Sequence, residues 1–106
     1  MVVQQYEFTD MEVEGAKLIH PLFVKDERGE MIKEYSKEVF CNYEINFSPA
    51  ETLCITSRAG VIRGIHFQRI KGQAKLIRCI SCHLWGVVVD LRPESDTLGK
   101  WCSVEL

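Results

Sequence analysis

The 106-residue chain is long enough for one domain, with a thin margin for burying a core. Thirteen basic and fifteen acidic residues leave a net charge of −2, without the basic face that a general nucleic-acid binder needs. Residues 1–10 hold no apolar stretch behind a basic flank, and no apolar run is long enough to cross a bilayer. The expectation is a cytoplasmic protein with no nucleic-acid or membrane partner.

Residues 17–24 (Lys-Leu-Ile-His-Pro-Leu-Phe-Val) read as one strand or two short ones, with Pro21 at an edge or bend. Residues 25–30 form a polar turn, and Gly29 suits a positive φ. Residues 31–35 read as a further strand. Ser36 is placed to cap a short helix over 36–42, with Val39 and Phe40 as its packing residues. Beyond residue 60, the segments 61–67, 75–81, 84–91 and 101–106 are rich in Val, Ile, Leu and aromatics, with turn-type residues between them. Short strands at such spacing predict an all-β sandwich or barrel with at most one short helix. Residues 84–91 are almost continuously apolar, which predicts a strand covered on both faces. The last segment reads as a strand with nothing after it. That points to one partial domain over 1–106, truncated or completed by a partner.

Five cysteines, at 41, 54, 79, 82 and 102, are an odd number without a secretion signal, so free thiols are expected, most of them buried as small apolar residues. Cys79-Ile80-Ser81-Cys82-His83 matches the C-x-x-C-H pattern of haem attachment. That chemistry needs an oxidising compartment, and the pattern spans a strand end and a turn, so haem is rejected. A metal site needs several histidines and a carboxylate converging on one point. Position 68 is Gln, and His20 and His83 are far from His66 in sequence, so no metal is expected.

The most informative stretch is Gly60-Val61-Ile62-Arg63-Gly64-Ile65-His66-Phe67-Gln68. A histidine on a strand is more often structural than catalytic. Here Arg63 lies three residues before it and Lys75 opens the next segment. Strict alternation sets Arg63 and His66 on opposite faces, whereas a bulge at Gly64 could turn both toward one cavity.

Arg63-Gly64-Ile65-His66-Phe67-Gln68, Gln73-Ala74-Lys75-Leu76-Ile77-Arg78, Val87-Val88-Val89-Asp90-Leu91-Arg92 and Thr97-Leu98-Gly99-Lys100-Trp101 follow one another in order. Together with the upstream turn Asp26-Glu27-Arg28-Gly29, this series resembles the dTDP-4-dehydrorhamnose 3,5-epimerase family, from about residue 17 to residue 106. The resemblance implies a cupin-like jelly roll, here a truncated one. It implies a homodimer acting on a nucleotide-linked 4-keto-6-deoxyhexose with no metal or organic cofactor. It implies His66 as the base that takes a proton beside the ketone, a role suited to imidazole, which ordinarily titrates at about 6.5. Lys75 is implied as the cation that stabilises the enolate. Arg63 and Gln68 are implied to contact substrate, and Arg28 to bind its nucleotide part, where a planar guanidinium matches phosphate oxygens.

The chain also departs from the pattern. The tyrosine and the histidine-orienting aspartate that the resemblance implies fall beyond Leu106, and Tyr6, Tyr35 and Tyr43 match neither. Glu51, Leu53 and Lys33 replace residues expected for thymine recognition, Cys82 stands at a turn expected to hold glycine, and Gly86 stands where an aspartate is common. The alternative expectation is a catalytically incomplete module that binds a sugar nucleotide or another protein.

Overall fold

The computed structural model describes all of residues 1–106. Seven strands and one helix occur: β1 (Val2–Gln4), β2 (Glu7–Asp10), β3 (Lys17–His20), β4 (Leu22–Asp26), β5 (Gly29–Lys33), α1 (Lys37–Asn42), β6 (Trp85–Val89) and β7 (Trp101–Glu105). All pairing is antiparallel, in a three-stranded sheet β1-β4-β5 and the two-stranded sheets β2-β3 and β6-β7. The architecture is therefore all-β with one short helix and no closed barrel, consistent with part of a cupin-like fold.

The N-terminal elements follow from local chemistry. Pro21, which cannot donate a ladder hydrogen bond, separates β3 from β4. The β4–β5 hairpin pairs Asp26 with Gly29, leaving Glu27 and Arg28 as its loop. The Asp26 carboxylate accepts the Arg28 backbone N–H at 2.8 Å, and Gly29 takes φ +132, a value open to glycine alone. Ser36 caps α1 with extended backbone angles, its hydroxyl accepting the Val39 N–H at 3.4 Å. Across β2–β3, Asp10 and Lys17 are register partners and form an ion pair.

Phe40 on α1 is the centre of the first packing nucleus. It is 1% exposed and meets Tyr35 at a ring-centroid distance of 4.9 Å and Phe8 at 5.4 Å, both edge-on, with Tyr6 and Phe47 at 6.3 Å. Tyr6 and Tyr35 complete it by donating their hydroxyls to the carbonyls of Lys33 and Phe47.

The second nucleus is polar. Asp90, which follows β6, is buried, as are Cys102 and Val13. Its carboxylate accepts from the Arg92 backbone N–H and Nε at 3.0 Å, from Arg92 Nη2 at 2.9 Å, and from the hydroxyls of Ser95 and Thr97. The same group reaches back to the turn after β2. The Glu14 N–H donates to Thr97 Oγ1 at 3.0 Å, the Glu14 carboxylate accepts from Ser95 Oγ and the Asp96 N–H, and Arg92 Nη2 donates to the Glu14 carbonyl. Gly15, in the same turn, takes φ +85, a left-handed value that favours glycine. One buried carboxylate thus ties the β6–β7 connection to the N-terminal part of the chain.

Three expectations are corrected. Residues 61–67 and 75–81 are not strands: from residue 43 to residue 84 there is neither helix nor strand. Between Ser48 and His83 a single backbone–backbone hydrogen bond forms, from the Val61 N–H to the Arg58 carbonyl. Alternation makes a segment suited to a strand, but a strand exists only when a neighbour takes up its amides and carbonyls, and this segment has none in the chain. Secondly, β6 is not covered on both faces. Trp85 at 64% and, at the opposite end of the hairpin, Trp101 at 61% stand open to solvent, because β7 is the only element packed along β6. Thirdly, of the five free cysteines only Cys102 is buried; Cys41, Cys54 and Cys82 are exposed and Cys79 is half-buried.

The surface area carries the same message. The chain exposes 9438 Å², whereas a compact monomer of 12.2 kDa exposes about 6,000 Å². The excess is rich in apolar groups such as Ile62, Ile65, Phe67, Ile70, Ile77 and Ile80.

Replacing Phe40 by Ala removes the centre of the aromatic nucleus and is expected to cost about 3–5 kcal/mol in urea unfolding; a loss below about 1 kcal/mol, the range of ordinary surface changes, would show that the nucleus does not hold the N-terminal sheets. The Arg92 side chain, then the Ser95 and Thr97 hydroxyls, hold the Asp90 carboxyl far below the usual carboxylate range. A carboxyl whose proton affinity falls on folding stabilises the fold above its unfolded-state pKa, about 3.9, and loses that contribution as pH drops below it. Thermal melts are therefore expected to weaken as pH falls below about 4, and Asp90→Asn to be less stable at neutral pH with a flatter acid response. An unchanged acid response in the variant would remove Asp90 from this role.

Candidate active site

The five residues singled out in the sequence fall in two places. Arg28 sits in the β4–β5 hairpin loop. Arg63, His66, Gln68 and Lys75 lie in the long segment between α1 and β6, and all five are exposed. No hydrogen bond or ion pair joins any two of them.

Each has its own local constraint. Arg28 forks onto Asp26, with Nη2 2.6 Å from Oδ2 and Nε 3.1 Å from the same oxygen. The Arg28 side chain, then its backbone N–H, lowers the Asp26 carboxyl below its ordinary pKa, and the same ion pair raises that of Arg28. Arg28 is thus a cation held at a hairpin tip, and an incoming phosphate would have to compete with Asp26. Arg63 Nε donates to Ser57 Oγ at 2.8 Å, which fixes its direction within the segment. Between Arg63 and His66, Gly64 takes φ +125, far from strand geometry. The alternation that would send the two side chains to opposite faces therefore does not operate here.

The segment is anchored at its far end. Arg78, three residues after Lys75, pairs with Glu34 just beyond β5. Leu84 exchanges hydrogen bonds with Leu106 in both directions, at 3.0 and 2.8 Å, extending the β6–β7 hairpin by one step. The chain's tyrosines are engaged elsewhere. Tyr6 and Tyr35 are tied to backbone carbonyls, and Tyr43 packs on Phe8 at 4.3 Å. Burial raises the pKa of Tyr6. No group of three or more His, Cys, Asp or Glu side chains converges to hold a metal ion.

A cavity of about 400 Å³ lies elsewhere, lined by Glu14, Arg92, Pro93, Glu94 and Ser95. Of its lining, Glu14, Arg92 and Ser95 are already engaged in the Asp90 network, so it is a by-product of scaffold packing. That network was missed as a unit from sequence. Its signal was present in Val87-Val88-Val89-Asp90-Leu91-Arg92, Ser95 and Thr97, where an acid at the end of an apolar strand precedes an arginine and two hydroxyl residues.

An open antiparallel β-protein with a histidine, a lysine and arginines on one long connecting segment has the side chains for proton abstraction beside a carbonyl. The family model described as dTDP-4-dehydrorhamnose 3,5-epimerase matches residues 10–106, and the chain belongs to that family. Similar proteins of that name include one from Methanothermobacter thermautotrophicus, 36% identical over 102 residues, covering 96% of this chain and 55% of the relative. One from Mycobacterium tuberculosis is 36% identical, over 92% of this chain and 49% of the relative. One from Escherichia coli is 33% identical, over 90% and 52%. The chain spans about half the length of the curated relatives it matches.

Proposed function

We propose that this chain carries the proton-abstracting half of a nucleotide-sugar 3,5-epimerase, with His66 as base and Lys75 as the cation facing the developing enolate. The observation that carries the reading is the family match over residues 10–106, which includes the Arg63-Gly64-Ile65-His66-Phe67-Gln68 stretch and Lys75. The substrate class follows from the relatives' name: a dTDP-linked 4-dehydro sugar whose carbons 3 and 5 flank the ketone. A hydrogen on either carbon is acidified because the electrons left behind spread onto the ketone oxygen. Neutral His66 takes the proton, and Lys75 stabilises the negative oxygen. A fixed cation of this kind is worth most where water is excluded. Arg63 and Gln68 position the sugar, and Arg28, exchanging Asp26 for phosphate, holds the diphosphate.

Exchange and inversion make different demands. Taking a proton and returning it on the same face needs only the base and the enolate-stabilising cation. Inversion needs a donor on the opposite face, and Tyr6, Tyr35 and Tyr43 are all engaged in packing or backbone contacts. The proposal is therefore one partial domain that exchanges protons without inverting the carbon, and that inverts it once a donor is supplied. Its exposed apolar surface favours a homodimer, and its five free cysteines suit the reducing cytoplasm.

Incubation with dTDP-4-dehydrorhamnose in deuterated water tests this directly. Deuterium is expected at carbon 3 or 5 without net change of configuration. His66→Ala should lower the exchange rate roughly a hundred- to ten-thousandfold, and Lys75→Ala roughly a hundred- to thousandfold. Binding of the sugar nucleotide by calorimetry without any wash-in would favour the binding-module alternative. Wash-in that survives His66→Ala would remove His66 as the base.

A further inference from the structure

The bend that leads into β6 holds two thiols three residues apart. Cys79 is half-buried, with its S–H donating to the Ser81 carbonyl at 3.3 Å and lying 3.7 Å from the Cys82 carbonyl oxygen. Its sulfur is therefore turned into the bend, against the backbone of the residue carrying the second thiol. Cys82 is exposed and has φ +65, a left-handed conformation in which a Cβ is disfavoured and glycine is the ordinary occupant. A cysteine thus occupies the one position of this bend where a side chain is least welcome.

The surroundings leave the bend free to close. Residues 79–83 make no backbone–backbone hydrogen bond, while the chain is held on one side by the Arg78–Glu34 ion pair and on the other by the Leu84–Leu106 hydrogen bonds. A disulfide needs Cα atoms about 4.4–6.8 Å apart, which residues three apart in a bend reach by local rotation. Cys41 and Cys54 are exposed, Cys102 is buried, and none has another cysteine within ten residues.

We propose that Cys79 and Cys82 form a redox-active dithiol that closes to a disulfide on reaction with a low-molecular-weight disulfide such as glutathione disulfide. The exposed Cys82 thiolate attacks one sulfur of the reagent, whose S–S bond breaks and releases one glutathione thiolate. The Cys79 thiolate then attacks the Cys82 sulfur of the mixed disulfide and expels the second glutathione. Two protein thiols lose two electrons, the reagent gains them, and the two released thiolates take up the two protons. Closure replaces the Cys79 S–H contact with Ser81 by a covalent tie and fixes the bend ahead of β6. The pair responds to the thiol poise of its compartment, as the transient disulfides of reducing compartments do.

Exposure of the whole chain to glutathione disulfide, followed by alkylation and tryptic mapping, tests the proposal. Cleavage after Arg78 and Lys100 leaves both thiols, and no others, on one peptide. That peptide is expected to resist alkylation, to be lighter by two hydrogens, and to recover on reduction with dithiothreitol. In Cys79→Ser, Cys82 is expected to retain one glutathione, because nothing expels it. In Cys82→Gly, which restores the residue best suited to φ +65, no disulfide is expected on the peptide. The proposal is overturned if the native peptide keeps two alkylatable thiols, or carries two glutathiones, under conditions that modify Cys41 and Cys54.

Discussion

A β-strand lasts only as long as its amides and carbonyls have partners, and this constraint sorts the whole molecule. Where the chain supplies its own partner close in sequence, strands form: β4 with β5 across a two-residue loop, β2 with β3, and β6 with β7. Where it does not, as between residues 43 and 84, strand-like sequence remains without strand structure. The exposed apolar side chains and the large surface follow from the same lack of partners.

The parts that did form are held by two unlike nuclei. One is aromatic, with Phe40 enclosed by rings from β2, the α1 approach and the residues after α1. The other is a single carboxylate, Asp90, satisfied by Arg92, Ser95 and Thr97 and linked through Glu14 to the turn after β2. A buried charge is tolerable only when it is fully hydrogen-bonded, and these donors meet that condition. Much of the family's recognisable pattern after residue 86 therefore belongs to scaffold, while His66 and Lys75, the proposed base and cation, lie on the segment that the scaffold brackets.

Features decided within a few residues were legible in the sequence. The Ser36 cap, the break at Pro21 and the turn at Gly29 appear as read, because each depends on one side chain acting on adjacent backbone. The strands expected at 61–67 and 75–81 were not recoverable from alternation, since pairing is a long-range property. The relation of Arg63 to His66 was open in the sequence, and Gly64 at φ +125 removes the strand geometry on which the opposite-face reading depended. The Asp90 network was invisible as a network, although Asp90, Arg92 and Thr97 stood in quoted motifs, because only the folded turn brings Glu14 to Ser95. The family was legible from ordered motifs alone, and the match over residues 10–106 bears it out.

The segment bearing His66 and Lys75 lacks strand pairing in this chain. Amide hydrogen exchange resolved by residue measures that directly. Protection is expected in β4, β5, β6 and β7, with nearly unprotected amides over 61–67 and 75–81. Protection of those two segments equal to that of β6 would contradict it.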